Sequence, residues 1–301
     1  MNGMTKYDKG IQTPWQLAMR RFRRNRPAML GLIVLGLVMA FCFLGPMLSP
    51  YEILQTNIRN AKKPPSTEHW LGTDVAGRDV LLRLMEGGKI SLMVGIFTTL
   101  IQVIMGTLIG GVSGYYGGRI DGLLMRFTDI CMSLPFMPIA LILASVMSDM
   151  GIKPQHRIYY LMVIIGMLSW PQLARLIRGQ VLTLREREFM LAAEALGISD
   201  SRRILRHLLP NVIPLVMVDA TLSIGGSILS ESAMSFLGLG VAPPYPSWGN
   251  MVDVISDLSN LRRPWIWVPP GVMIVLTVMA VYAVGNGLRD ALDPKMMRQG
   301  S

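Results

Sequence analysis

Charged residues are missing from five long stretches of this chain, and that spacing restricts the fold more than any other feature of the sequence. No Asp, Glu, Lys or Arg occurs from Pro27 to Tyr51, Ile90 to Gly118, Ile130 to Ser148, Ile158 to Ala174 or Pro264 to Leu288. A sixth apolar stretch, Val212 to about Phe236, carries only Asp219 and Glu231. A helix rises about 1.5 Å per residue, so roughly 20 apolar residues cross the hydrocarbon core of a bilayer. Six membrane spans follow, the short Ile158–Ala174 stretch being extended past Arg175, whose long side chain reaches back to the interface. The same composition argues against an ordinary soluble domain: charged residues make up 16 %, where about a quarter is usual.

The net charge of +10 suggests nucleic acid only until the charges are assigned to sides. With the N-terminus inside, the cytoplasmic segments hold most of the basic residues. They include Lys6, Lys9 and Arg20 to Arg26 before the first span, and Arg119 and Arg126 after the second. They also include the group from Arg175 to Arg206, and Arg289, Lys295 and Arg298 at the end. This bias is the positive-inside pattern, so both termini are expected in the cytoplasm and no nucleic-acid partner is implied. The basic N-terminal region runs into a full-length span with no small-residue cleavage site, which predicts an anchor rather than a removed signal. Cys42 and Cys131 fall in predicted spans and read as small buried hydrophobes. No N-x-[ST] sequon occurs, which suits a bacterial protein.

Residues 1–26 are thus an N-terminal tail, 27–51 the first span and 52–89 an outer segment. Residues 90–288 form a five-helix core with an inner loop at 175–211 and an outer segment at 237–265, and 289–301 are a C-terminal tail. In the first outer segment Asp79 is placed to cap a short amphipathic helix with Leu81, Leu82, Leu84 and Met85 on its apolar face, lying on the membrane. The second span carries Gly106, Gly110, Gly114 and Gly118 at fourfold spacing, a smooth face on which another helix can pack closely or slide. Pro135 and Pro138 interrupt the third span and Pro171 the fourth, each a predicted kink, and Pro269-Pro270 open the sixth. In the second outer segment Asn250–Asn260 reads as a short helix. Trp248, Trp265 and Trp267 read as interfacial belt residues, with Trp248 also a surface for a partner.

The segment Phe189–Asn211, FMLAAEALGISDSRRILRHLLPN, is a polar interruption between two apolar runs. Ala192 to Leu196 favour a helix and Gly197 ends it. Ser199 or Asp200 then caps a second helix, Ser201–Leu209, and Pro210 turns the chain into the membrane. Spanning requires none of this organisation. A solvated basic loop accounts for Arg202, Arg203 and Arg206 but not for the spacing of Ala192-Ala193, Gly197 and Leu209-Pro210. A docking surface accounts for both, with the alanine pair leaving low relief for a partner.

In order and spacing this segment resembles the EAA loop of bacterial ABC-type importers. Further blocks, RRFRRNRPAMLGL, HWLGTDVAGRDVL, GYYGGRIDGLLMRFTDI, RLIRGQVLTLRE, ESAMSFLGLGVAPPYPSWGNM and GLRDALDP, extend the likeness over about Pro14 to Pro294. Together they resemble the C-type transmembrane subunit of oligopeptide and dipeptide ABC importers. One departure stands out: the glutamate that names the loop corresponds to Leu191, and Glu194 does not replace it. The resemblance implies an all-α, six-span, type I permease in a bacterial cell membrane. It implies pairing with a homologous B-type permease, two cytoplasmic ATPase subunits beneath and an extracytoplasmic binding protein that delivers peptide by alternating access. Ala192, Ala193, Gly197, Leu209 and Pro210 would then couple to the ATPases.

The chain has no G-x-x-x-x-G-K-[ST] loop, so ATP and Mg are expected on the partner subunits and no cofactor on this chain. His69, His156 and His207 lie in separate segments, and neither a nucleophile–base pair nor metal-ligand spacing is visible, so a non-catalytic chain is expected. Three alternatives remain. The scaffold suits nickel or another small solute as well as peptide. An ion-coupled carrier would use Asp219 or Glu231, because an acid at the centre of a span costs about 2.5–3.5 kcal/mol and invites a function on the translocation path. Glu231 falls near the outer end of its span and Asp219 in the inner third, where hydration is cheaper. A non-transporting scaffold with a docking loop is the third.

Overall fold

A computed structural model describes residues 14–292; Lys6, Lys9, Pro294, Lys295 and Arg298 lie outside them. Among the described residues the fold is helical, with one isolated β-bridge between Thr73 and Asp79 and no strand. Five helices are long and apolar enough to cross a membrane, and a sixth crossing is counted if one sharply bent pair is a single span.

Helix α1 (Pro14–Arg24) leads through one residue into α2 (Arg26–Leu44). Asn25 caps α2 by accepting from the Ala28 amide at 3.2 Å, and Pro27 starts it where a missing N–H costs nothing. Helix α3 (Val80–Tyr116) runs for 37 residues, about 55 Å, well beyond the roughly 30 Å hydrocarbon core. Asp79 caps it as expected, accepting from the Leu82 amide at 2.7 Å. The separate amphipathic helix expected before residue 90 does not exist. Leu82, Arg83, Leu84 and Met85 are buried in the first turns of α3, which continue without a break into the second span. The half-polar pattern there marks packing against protein, not against lipid headgroups.

The third apolar stretch differs most from expectation. Helix α4 (Gly118–Ser133) starts well before Ile130, and α5 (Phe136–Asp149) leaves it at 81°. Pro135 cannot donate to the helix ladder and forces the residue before it into an extended conformation, as Leu134 shows (ψ 125°). Helix α6 (Pro154–Arg185) passes through Pro171 as one helix. Two short helices, α7 (Glu188–Ala195) and α8 (Asp200–Arg203), follow, then a π turn at Ile204–Leu208 and the long α9 (Leu209–Phe236). Pro210 therefore does not turn the chain. The wider π turn just before it removes the need for the amide hydrogen bond that proline lacks, and the axis runs on from Asp200 to Phe236. Helix α10 (Trp248–Asp253) opens with a Ser247–Asn250 capping box, and two 3-10 turns rather than more α-helix carry the chain on to Asn260. Helix α11 (Pro264–Leu292) begins before Pro269-Pro270, which sit inside it.

Two ends can be distinguished. At the cap end, Asp74 gathers the Arg78 and Arg83 guanidinium groups at 2.8 and 3.2 Å, and Arg83 also donates to the Pro244 carbonyl at 3.1 Å. Both outer segments are thereby tied together. Trp248 is fully buried, against the belt reading, with its indole N–H donating to the Leu84 carbonyl at 2.9 Å; Gly88 clears room for its ring. Trp265 and Trp267 are half-buried. At the other end lie α7, α8 and the junction of α2 with α11, marked by Asn25 and Asp290 at 3.4 Å.

Candidate functional site

The turn between α7 and α8 is built by the sequence read for it. Gly197 has φ +69°, and its amide donates to the Glu194 carbonyl at 2.9 Å while the Ile198 amide donates to the Ala193 carbonyl at 3.1 Å. This is the paired-bond stop that a glycine with positive φ allows. Met190, Ala193 and Leu208 are buried, and Met190 and Leu208 join Tyr115, Leu173, Ile177, Val181 and Val212 in one apolar cluster. Ala193 thus faces inward, not toward a partner, because it lies on the same helix face as Met190. Ala192 is exposed, Leu209 half-buried and Pro210 exposed. Phe189, Leu191, Leu196 and Leu205 are exposed as well, Leu196 at 79 %. The position where the loop's naming acid is missing therefore adds to an exposed apolar group on an otherwise charged hairpin.

Charged side chains fix this hairpin to the helices behind it. Arg203 reaches Glu194 at 3.0 Å and Asp200 at 2.5 Å, and the Tyr115 hydroxyl donates to Asp200 at 3.0 Å. Beside it, Arg178 of α6 grips Asp121 of α4 through both carboxylate oxygens, at 2.5 and 2.6 Å, and Ser113 of α3 bonds the same carboxylate. Fork-to-fork pairing of this kind fixes orientation as well as distance. Arg175 and Asp129 add an exposed pair.

The hairpin stands on the α3–α6 pair, and here the glycine spacing has its effect. A Cβ on Gly106 would stand 2.9 Å from the Leu173 Cβ, and one on Gly114 2.8 Å from the Val181 Cβ. One on Gly110 would run into the Ala174 carbonyl, and Gly166 of α6 makes the reciprocal approach to Ile101 at 2.7 Å. Gly118 does not belong to this face. It lies past the end of α3 with φ +55° and open space around it, serving the turn into α4.

Further along the same helices lies an open cavity of about 370 Å³. Gln102 of α3, Gln172 of α6, Ser223 and Ser230 of α9 and the bent joint at Leu134 contribute to its wall. Irregular backbone at membrane depth is stable where it is buried in protein or lines a hydrated cavity, which is where this joint sits. Gln102 donates to Asp219 at 3.2 Å and to Ser223 at 2.9 Å, so Asp219 stands one hydrogen bond behind the wall. Cys131 lines the cavity and is not the buried hydrophobe expected, whereas Cys42 is fully buried. Glu231 is not on the cavity. It is fully buried, with Ser91 donating to it at 3.1 Å and Ser235 at 2.6 Å. The sequence analysis does not single out the serines at this crossing; Ser91 and Ser235 within apolar helices and Ser247 at the cap of α10 are the available signal. No metal-binding cluster occurs among the described residues.

Comparison with known proteins agrees with this architecture. Residues 106–298 match the family model described as binding-protein-dependent transport system inner membrane component, and residues 13–65 match the N-terminal TM domain of oligopeptide transport permease C. The oligopeptide transport system permease protein OppC of Bacillus subtilis (strain 168) is 37 % identical over 294 residues, covering 97 % of this chain and 93 % of that protein. OppC of Haemophilus influenzae is 40 % identical over 283 residues, covering 93 % and 88 %. The dipeptide transport system permease protein DppC of Alkalihalophilus pseudofirmus is 38 % identical over 286 residues, covering 94 % and 91 %.

Proposed function

The chain belongs to the family of inner-membrane components of binding-protein-dependent transport systems, and from that premise we propose that it is one half of the pore of an ATP-driven peptide importer. Its relatives are named for oligopeptide and dipeptide transport, which favours peptide over nickel as cargo. The other half is a homologous B-type permease. Two ATPase subunits bind beneath the pair from the cytoplasm, one of them on the α7–α8 hairpin, and a binding protein delivers peptide at the cap end. ATP and Mg are held by those partners, and this chain contributes no catalytic group.

The observation that carries the reading is that Phe189, Leu191, Leu196 and Leu205 are each exposed, as is Ala192, on a hairpin braced by ion pairs. An apolar surface raised on a polar end marks a protein contact. A separate wall bearing Gln102, Gln172, Ser223 and Ser230 offers amide and hydroxyl groups to a peptide backbone, with no fixed charge to select among side chains.

Ala192→Asp tests the docking surface, because it adds a charge at the contact without entering the hairpin core. Insertion into the membrane is expected to be normal, while the ATPase subunits are lost on purification and ATP-dependent peptide uptake disappears. Ser199→Asp, on the exposed turn, is the control and should be tolerated. Ala193→Asp is not a clean test, since it would bury an unpaired carboxylate inside the hairpin itself. Full ATPase retention by Ala192→Asp would leave the hairpin a basic tether.

A further inference from the structure

The hairpin is covalently joined to α6, through Glu186 and Arg187, and to α9, through the π turn. It has no covalent link to α3, yet α3 packs along α6 through the glycine face and carries Gln102 of the cavity wall. Besides the apolar cluster that holds Tyr115 with Met190 and Leu208, the polar contacts of the hairpin with α3 converge on Tyr115, Asp200 and Arg203. Arg203 of α8 reaches Glu194 of α7 through one terminal nitrogen at 3.0 Å and Asp200 through the other at 2.5 Å. Its central carbon lies 5.8 Å from the centroid of the Tyr115 ring, and the Tyr115 hydroxyl donates to Asp200 at 3.0 Å. The Arg203 side chain is 14 % exposed, whereas those of Glu194 and Asp200 are 66 % and 48 % exposed. The cation is enclosed by the hairpin and is not displayed to a partner.

The hairpin has two places where it can bend: the Gly197 turn, with φ +69°, and the π turn at Ile204–Leu208. The Arg203 contacts span the first, since Glu194 precedes the glycine and Asp200 and Arg203 follow it. They fasten the far side to α3 before the second is reached. A planar guanidinium addresses two carboxylates in fixed directions and lays a flat face toward a ring, a geometry that a compact ammonium on a flexible stem does not fix. Ion pairs between partly exposed groups contribute little to stability, so what this arrangement supplies is geometry.

We infer that Arg203, with Tyr115 and Asp200, is a positioning clamp that passes displacement of the hairpin to α3 and the cavity wall instead of letting it be absorbed at Gly197 or in the π turn. The inference rests on the reading of the hairpin as the ATPase-docking element. Without the clamp, ATP would still be hydrolysed on a docked partner, but the wall bearing Gln102 would follow the hairpin less closely. This reverses the expectation from charge alone, under which Arg203→Lys is innocuous because topology needs only a positive residue.

The test uses the full complex in proteoliposomes, with binding protein and a labelled peptide, and reads peptide taken up per ATP hydrolysed. Arg203→Lys and Tyr115→Phe are expected to keep the ATPase subunits bound and hydrolysing while that ratio falls by about fivefold or more, the lower edge of typical site-to-site coupling. The double variant should be no worse than the stronger single one, because both changes break the same link. A ratio within about twofold of wild type in both single variants overturns the clamp. Loss of the ATPase subunits from Arg203→Lys overturns it too, since Arg203 would then belong to the docking surface. Ala192→Asp, assayed in parallel, separates the two readings: if it retains the ATPases the docking assignment fails, whatever the clamp variants do.

Discussion

Glu231 and Asp219 are both acids within apolar helix, yet their surroundings give them different work. Glu231 accepts from Ser91 and Ser235 and is sealed from solvent, with no cation paired to it among the described residues. It fastens α9 to α3, and through Ser235, Ser247 and the Trp248 amide on Ser91 it also holds α10. Glu231→Gln keeps the shape and can keep hydrogen bonds to both hydroxyls, so uptake is expected to stay near wild type. Glu231→Ala strands buried hydroxyl groups, at about 1–3 kcal/mol each, and should lower the thermal midpoint of the purified complex. An ion-coupled carrier predicts the opposite for the first variant: if Glu231→Gln abolished uptake without loss of stability, the acid would be a transport site. Asp219 is half-buried and sits behind Gln102 at the cavity, so Asp219→Asn should alter uptake more than Glu231→Gln does, checked by the same peptide assay. That difference was not legible in the sequence. Both residues interrupt the same apolar run, and only the crossing of three helices decides which is enclosed.

Among the elements, the α3–α6 pair was the most legible and the broken third stretch the least. Fourfold glycine spacing requires only the helical period, so the close faces at Gly106, Gly110 and Gly114 could be read directly. Gly118 could not, because the period says nothing about where the helix ends. Gly110→Leu or Gly114→Leu would drive a side chain into the backbone of α6. About 1–3 kcal/mol of overpacking is expected, with impaired assembly or uptake. Gly36→Leu and Gly111→Leu are the controls, since no atom lies within 4 Å of a Cβ at either position. Gly31 of α2 is equally tight. A Cβ there would stand 2.7 Å from the Ala280 carbonyl, because α2 packs directly on α11, so Gly31→Leu should also disrupt. Wild-type assembly of both α3 variants would turn the glycine face outward to lipid. Likewise, Pro135 announced a kink, but a bend of 81° depends on the space that α6 and α9 leave beside it.

At the scale of the whole molecule, the two ends differ in charge and in construction, and the difference predicts an orientation. The hairpin end gathers Arg119, Arg126, Arg175, Arg178, Arg185, Arg187, Arg202, Arg203 and Arg206. It also holds the start of α2 and the end of α11, since Asn25 meets Asp290. The cap end joins both outer segments through Asp74, Arg83 and Pro244, so these two segments must lie on one side of the membrane. Basic residues are retained in the cytoplasm during insertion, which predicts the hairpin inside and the cap outside. Ser66, Ser259 and Ser199 are all exposed, two on the cap segments and one on the hairpin turn, so each can report its side once replaced by cysteine. Cys131 opens onto the cavity and Cys42 is buried, so the background is Cys131→Ser, with Cys42 left in place. An impermeant maleimide added to intact cells should label Ser66→Cys and Ser259→Cys and leave Ser199→Cys unreacted until the cells are opened. Because the two cap positions belong to segments clamped together, they must react alike. Labelling of one without the other would contradict the cap itself, whereas labelling of Ser199→Cys alone would invert the molecule and place the hairpin proposed for docking where no cytoplasmic ATPase can reach it.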